Sequence, residues 1–207
     1  MASTLRDLLI QRAARLQGRP ALTAPDWGTL TSAQLRNRAE GVALGLLASS
    51  PPRSIFSGTG TAWDWAAELA AAASGLAWDP AGQPVPPEIL GGPRFNSEEG
   101  RGLYHACEHC VTEATPFSAG LTHGDLMARL RRLNTGLGWD HDTRVELPLR
   151  RLAEPALRAA LWSVLYAGGH AVLVLDIPAV PGLLTRFRRP QAPWDPSLFD
   201  GFWDAAP

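Results

Sequence analysis

The segment from His170 to Asp176 constrains the fold more than any other part of the chain. It reads HAVLVLD, an apolar run without polar alternation, and it follows the Gly168-Gly169 pair that ends an apolar helical pattern. Strands that are apolar on both faces are typical of the centre of a parallel sheet, which helices must cover. The sequence therefore predicts an α/β fold, with a mainly parallel sheet and helices on both faces.

Helical and extended patterns alternate along most of the chain. Capping-box patterns mark helix starts at Thr4 with Asp7, at Thr31 with Gln34 and at Thr122 with Asp125. The periodicity predicts helices at 3–16, 31–46, 62–74, 122–134, 154–166 and 181–187. It predicts strands or extended segments at 54–56, 76–78, 103–111, 144–149 and 170–176, with a Pro/Gly-rich loop at 82–102.

Composition excludes several classes of function. Of the 207 residues, 45% are hydrophobic, which is enough for a real core, and the net charge of −1 gives no bulk attraction to nucleic acid or anionic lipid. No apolar run reaches the ~18 residues that a bilayer span needs, and the N-terminus does not have the pattern of a secretory signal. With only two cysteines, no disulfide framework is implied. We expect a cytoplasmic protein that binds neither membranes nor nucleic acid.

The chain contains no lysine, because all 19 of its basic residues are arginine. Arginine keeps its charge and can clamp a carboxylate with two hydrogen bonds, but it does not act as a tunable amine. Schiff-base, phosphate-loop and other lysine-dependent chemistry is therefore excluded for this chain.

Five segments, in order, resemble the N-terminal part of acyl-adenylate-forming enzymes, the AMP-binding acyl-CoA synthetase-like family. They are Arg19-Pro-Ala-Leu22 with Leu30-Thr-Ser-Ala-Gln-Leu35, the stretch 66–80, Leu121-Thr-His-Gly-Asp-Leu126, the stretch 139–145, and the stretch 165–175. The resemblance implies the fold of that N-terminal domain and a phosphate-binding loop just before Thr122-His123.

The implied phosphate loop is degenerate. The family pattern T-S-G-T-T-G-x-P-K-G aligns with the residues that end at Ser118, and it matches at Thr112 and Pro116. Its glycines are missing, Phe117 replaces the lysine, and Glu113 adds a negative charge that repels phosphate. The equivalents of the nucleotide loop are Thr112, Thr115, Pro116, Ser118, Thr122 and His123. No catalytic residue can be assigned, and the downstream motifs that hold adenine, ribose and the acyl phosphate in the family are absent.

Two other patterns offer alternative sites. In an extended segment, His105, Cys107 and His109 would share one face, and Cys107 with Cys110 could hold zinc through thiolates. Gly58-Thr59-Gly60 between a strand and a helix, with Asp79 after the next strand, outlines a dinucleotide fingerprint whose third glycine is replaced by Trp63.

The residues from 190 to 207 differ from the rest, so we divide the chain into an α/β domain at 1–189 and a tail at 190–207. The tail contains aromatic and acidic residues and no basic residue. Its aromatic residues either fold back over the sheet or form a partner interface, and we expect a homodimer with the interface at or near Trp194, Phe199, Phe202 and Trp203.

The sequence thus predicts a truncated, catalytically inactive relative of acyl-CoA synthetases that acts by binding a ligand or a protein partner. One alternative is a component of a split acyl-adenylating ligase or acyl transfer system, completed by a partner. A second is a dinucleotide-binding protein. We expect no cofactor; ATP or AMP at the degenerate loop and zinc at the Cys/His cluster are the alternatives.

Overall fold

The computed structural model describes residues 2–48, 53–90, 98–175 and 199–204, in which helices and strands alternate. The helices are α1 (Leu5–Arg15), α2 (Ser32–Ala48), α3 (Ala62–Ser74), α4 (Glu98–Cys110), α5 (His123–Leu137) and α6 (Pro155–Ala167). The strands are β1 (Pro20–Ala24), β2 (Gly28–Thr31), β3 (Ser54–Phe56), β4 (Ala77–Trp78), β5 (Gln83–Pro84), β6 (Pro116–Ser118), β7 (Leu121–Thr122), β8 (Arg144–Pro148) and β9 (His170–Val174).

The largest sheet has the strand order β2-β1-β9-β8, so β9 lies at its centre, as its apolar sequence predicts. Strand β9 pairs in parallel with both β1 and β8, and β1 pairs with β2 as an antiparallel hairpin. A second sheet, β4-β3-β5, is parallel throughout, and β6 and β7 form a separate hairpin. The predicted α/β class with a mainly parallel sheet is confirmed.

Helix α3 lies in the middle of the core. Every residue in it except Trp63 is buried, and most of them are alanine. Small side chains let neighbouring backbones approach closely, and α1, α2 and α4 all pack against α3. Two acidic residues, Asp64 and Glu68, are buried on this helix. A buried carboxylate must be paired with hydrogen-bond donors or a cation, so we expect such partners next to Asp64 and Glu68 inside the core.

The predicted helix starts are confirmed by their hydrogen bonds. At Thr4 and at Thr122 both halves of a capping box are formed, with Asp7 and Asp125 as the reciprocal partners. Thr31 and Gln34 exchange the same pair of bonds at the start of α2, with the Thr31 amide 2.9 Å from Gln34 Oε1. These local signals fix where each helix enters the fold.

The extended segment predicted at 103–111 is wrong, because residues 103–110 belong to helix α4. Tyr104, Cys107 and Val111 are buried, and their spacing of three and four residues places them on one helical face. The predicted loop at 82–102 likewise contains β5 and the start of α4. The helix predicted at 181–187 lies outside the described residues.

Two glycine-to-alanine substitutions should change stability in opposite directions. A Cβ at Gly169 would lie 2.7 Å from the Thr143 carbonyl oxygen, so Gly169→Ala must displace the backbone where β9 begins. We expect a loss of roughly 1–3 kcal/mol, as for other overpacked sites. Gly41 lies inside α2 with open space at its Cβ position, so Gly41→Ala should add about 0.5–1 kcal/mol. Urea unfolding of both variants tests this, and equal signs would contradict it.

Candidate functional site

The degenerate loop lies between the end of α4 and the start of α5. The Val111 amide still donates to the Cys107 carbonyl, so a helical turn leads directly into the loop. Thr112 and Thr115 then close a tight turn, because the Thr112 amide donates to Thr115 Oγ1 at 2.9 Å and the Thr115 amide to the Thr112 carbonyl at 3.0 Å. The loop therefore uses these two backbone donors for its own turn.

The first backbone amides of α5 are also hydrogen-bonded within the chain. The first amides of a helix carry partial positive charge and commonly bind phosphate. Here the His123 amide donates to the Thr115 carbonyl at 3.0 Å, and the Gly124 amide donates to the Glu113 carbonyl at 2.9 Å. The next amide, that of Asp125, is capped by Thr122 Oγ1. All three donors are bonded within the chain, so none is free for an anion.

Phe117, which stands at the position of the family lysine, points into the core. Its side chain is almost fully buried, and its ring makes edge-to-face contacts with Trp162 and His123 at centroid distances of 5.9 and 5.5 Å. A lysine at this position would bring a charge into an apolar environment. In this structure Phe117 is therefore a packing residue of the core.

His123 is completely buried and is held in one tautomer. The Leu5 amide donates to its Nδ1 at 3.2 Å, so the ring proton is on Nε2, which has no hydrogen-bond partner among the described residues. Burial lowers the pKa of His123 from 6.5 to about 4. The side chain fastens the start of α1 to α5 and has no surface from which it could act as a base.

Ser118 contacts a buried ion pair that the sequence analysis missed. Arg158 on α6 makes two hydrogen bonds to the Glu68 carboxylate, at 3.0 and 2.8 Å, and donates a third to Ser118 Oγ at 3.3 Å. The Trp162 indole also donates to Glu68, at 2.8 Å. The sequence did contain a signal, because Glu68 and Arg158 are charged residues inside largely apolar helices. Such residues are almost always paired when they are buried.

The remaining loop residues lie at the surface. Thr112 and Pro116 are exposed, and Thr115 and Thr122 are partly exposed. The structure thus brings the six predicted loop residues into one region, but it divides them between a self-bonded surface turn and the core.

The Cys/His cluster is dispersed around α4. The Cys107 thiol is buried and donates to the Leu103 carbonyl at 3.2 Å, whereas His105, His109 and Cys110 are exposed. Across residues 2–48, 53–90, 98–175 and 199–204, no three His, Cys, Asp or Glu residues are close enough to hold a metal ion. The shared face predicted for His105, Cys107 and His109 does not exist, because it requires an extended segment and this one is helical.

The backbone amides of the Gly58-Thr59-Gly60 turn bind the carboxylate of Asp64 in the same chain. The Thr59 and Gly60 amides donate to Asp64 at 2.8 Å each, and the hydroxyls of Ser57 and Thr59 donate to it as well. These amides are the donors that a pyrophosphate would need. Asp79, the predicted ribose ligand, accepts a hydrogen bond from the Ala81 amide in its own turn.

The described part of the tail, residues 199–204, folds back onto the domain. Phe199, Phe202 and Trp203 are all buried within the chain, so the folded protein leaves little of their surface for a partner. Trp194, the fourth residue of the predicted interface, lies outside the described residues. The division of the chain at residue 190 stays a prediction.

Solved structures of adenylate-forming ligases share this fold. The N-terminal subdomain of NpsA from Klebsiella oxytoca matches with a TM-score of 0.58 and 18% identity, over 88% of this chain and 56% of that one. A fatty acyl CoA synthetase from Mycobacterium tuberculosis matches with a TM-score of 0.61 and 14% identity, over 86% and 46%. The N-terminal domain of FACL13 from the same organism matches with a TM-score of 0.60 and 14% identity, over 86% and 58%.

The chain therefore has the fold of the N-terminal part of acyl-CoA ligases and adenylation domains, as its sequence segments predict. It spans 46% to 58% of the length of these three structures. No family model matches the sequence, and no curated protein sequence matches it. Among the described residues, no helix is both long enough and apolar enough to cross a bilayer.

The burial of His123 predicts a loss of stability in mild acid. Because its folded-state pKa of about 4 lies below the ordinary 6.5, the unfolded chain binds the proton first as the pH falls. The free energy of unfolding should be highest above pH 6.5 and should fall by about 3 kcal/mol between pH 6.5 and 4. Burial also lowers the pKa of His170, which acts in the same direction.

Urea unfolding across this pH range tests the prediction with two variants. His123→Asn keeps an acceptor near the position of Nδ1 for the Leu5 amide and should remove most of the acid dependence. His141→Asn removes an exposed imidazole, so the acid dependence should remain. A wild-type slope in His123→Asn would contradict the assignment.

The buried ion pair should behave differently from an exposed pair of the same geometry. Arg158→Met leaves the Glu68 carboxylate buried without its cation, which should cost about 3–5 kcal/mol. Adding Glu68→Gln should recover a large part of that loss. Arg151→Met breaks the exposed bidentate pair with Glu154 and should cost at most about 1 kcal/mol. A double-mutant cycle followed by urea unfolding measures the coupling energy between Glu68 and Arg158. If the two single substitutions lower the free energy of unfolding additively, the predicted coupling is wrong.

Proposed function

We propose that this chain does not form acyl adenylates by itself and acts instead by binding a protein partner. The observation that carries the proposal is the closed amino terminus of α5, whose first three amides are bonded to Thr115, Glu113 and Thr122 within the chain. The burial of Phe117 and the absence of any lysine support it. A fold that keeps its packing while its anion site is filled suits a binding role better than phosphate chemistry.

We also propose that this binding requires no nucleotide and no metal. The amides of the degenerate loop and of the Gly58-Thr59-Gly60 turn are used internally, and the Cys/His cluster is dispersed around α4. The free thiols of Cys107 and Cys110 suit a reducing compartment, which supports a cytoplasmic location. The partner is a different polypeptide or a second copy of this chain, and sedimentation equilibrium distinguishes the two.

A second candidate function is that of one component of a split ligase. It is favoured by the partial coverage of the solved ligases and by the spacing from Pro116 to Thr122-His123, which is that of the family loop. In this case a second polypeptide supplies the residues that bind ATP and the acyl group.

Pyrophosphate exchange with a panel of carboxylic acids should give no ATP-dependent signal above background. The same protein should show no thermal shift with ATP, although a specific site saturated at 100 times its dissociation constant would add about 2.7 kcal/mol. Phe117→Ala opens space beside the loop without restoring a cation, and it should remain equally inactive.

Robust exchange by the isolated chain would overturn the proposed function. Exchange that appears only when a second polypeptide with the missing motifs is added would replace it with the split-ligase function.

A further inference from the structure

The tail segment Phe199–Asp204 occupies a groove formed by α5, α6 and the residues that flank them, called here the α5–α6 groove. Its contacts come from aromatic rings and backbone carbonyls, and it forms no strand with the domain. Residues 176–198 separate the segment from the end of the described domain. The segment Phe199–Asp204 thus contacts this surface through its rings and its backbone, as a bound peptide would.

Trp203 is the anchor of this contact. Its ring lies over the Arg158 guanidinium, 4.2 Å from Cζ to the ring centroid, and its indole nitrogen donates to the Pro155 carbonyl at 2.8 Å. The same guanidinium is bonded to Glu68 on its edge, so the indole covers the face of a buried ion pair. Tryptophan stacked on arginine is a combination that dominates the binding energy of many protein interfaces.

Arg129 holds the backbone of the segment. Its guanidinium donates to the carbonyls of Phe202 at 2.6 Å and Gly201 at 3.1 Å, and it lies on α5. At the other end of the segment, the Phe199 ring packs against Trp139, with centroids 6.2 Å apart. Bonds to backbone carbonyls do not depend on the identity of the side chains, so they would hold another peptide equally well.

The charges of the segment and of the helix beneath it are opposite. Asp200 and Asp204 are exposed, and the chain has no basic residue beyond Arg189. Arg129 is a basic residue of α5 that contacts the segment, and Asp200 and Asp204 lie within two residues of the carbonyls that it binds. The groove therefore favours a ligand that combines aromatic rings with acidic side chains.

We propose that the α5–α6 groove is the docking site for a separate protein partner, which inserts an aromatic–acidic segment of the same chemistry as Phe199–Asp204, and that the tail competes with this partner by occupying the groove in cis. This inference rests on the proposed binding function and names its surface. A partner segment must displace the tail, so its apparent affinity is lowered by the fraction of molecules whose groove is open.

The test uses the full chain and keeps every residue of the tail. A protease recognition sequence is inserted between Arg189 and Pro190, which allows the folded protein to be cut so that the tail is no longer tethered. The probe is a fluorescein-labelled peptide with the sequence of residues 197–205, and its fluorescence anisotropy reports binding. The uncut protein is the matched control.

The cut protein should bind the labelled peptide saturably, at least about tenfold more tightly than the uncut protein. Replacing the tryptophan of the peptide with alanine should abolish binding, and replacing both aspartates with lysine should weaken it by about tenfold or more. Arg129→Ala in the protein should weaken binding of the original peptide while leaving its thermal unfolding close to that of the wild type.

Three results would overturn the inference. The peptide could fail to bind the cut protein, in which case the tail is an inseparable part of the core. It could bind cut and uncut proteins equally, which would place its site elsewhere. Alternatively, the uncut protein could sediment as a dimer that dissociates on Trp203→Ala, which would assign the groove to a second copy of the chain. Pyrophosphate exchange by the chain would refute the proposed function separately from each of these results.

Discussion

The ion pair between Glu68 and Arg158 joins parts of the fold that are far apart in the sequence. It connects α3, whose alanine-rich surface fills the core, to α6, and it reaches the β6–β7 hairpin through Ser118. Trp162 donates to the carboxylate, and Trp203 of the tail covers the guanidinium. A buried carboxylate needs this full set of donors because its desolvation costs several kcal/mol. Ser118, one residue of the degenerate loop, therefore contacts an ion pair whose two partners lie outside the loop.

The fold of this chain and the loop that resembles a phosphate site are held together by different interactions. The fold depends on the central strand β9, the packing of α3 and the capping boxes, and none of these involves a ligand. A phosphate site at a helix start depends on free amides. At the start of α5 the first two amides are instead bonded to the Thr115 and Glu113 carbonyls. Fold similarity at less than 20% identity is consequently compatible with a different function.

The sequence predicted those parts of the structure that are determined locally. The capping boxes at Thr4 and Thr122 and the central position of β9 follow from residues adjacent in the chain. Helix α4 was not predicted, because its first turns contain Gly100 and Gly102, and only Tyr104 and Cys107 are buried among its described side chains. The contact between Glu68 and Arg158 spans 90 residues, and no local pattern specifies which of several charged residues pair. The sequence places the six loop residues in one segment, but it does not specify their hydrogen bonds, which depend on contacts in the folded chain.

The absence of lysine has a structural counterpart in the way arginine is used. Arg6 donates to the Ala73 and Tyr104 carbonyls while its guanidinium stacks on the Tyr104 ring, which ties α1 to α3 and α4. Arg12 donates to the Tyr166 carbonyl at the end of α6, and Arg38 lies over the rings of Trp27 and Trp63. A planar guanidinium can donate in its plane and stack on its face at the same time, whereas an ammonium group cannot. These arginines act as cross-links between elements, so the chain has gained packing from the same residue type that denies it amine chemistry.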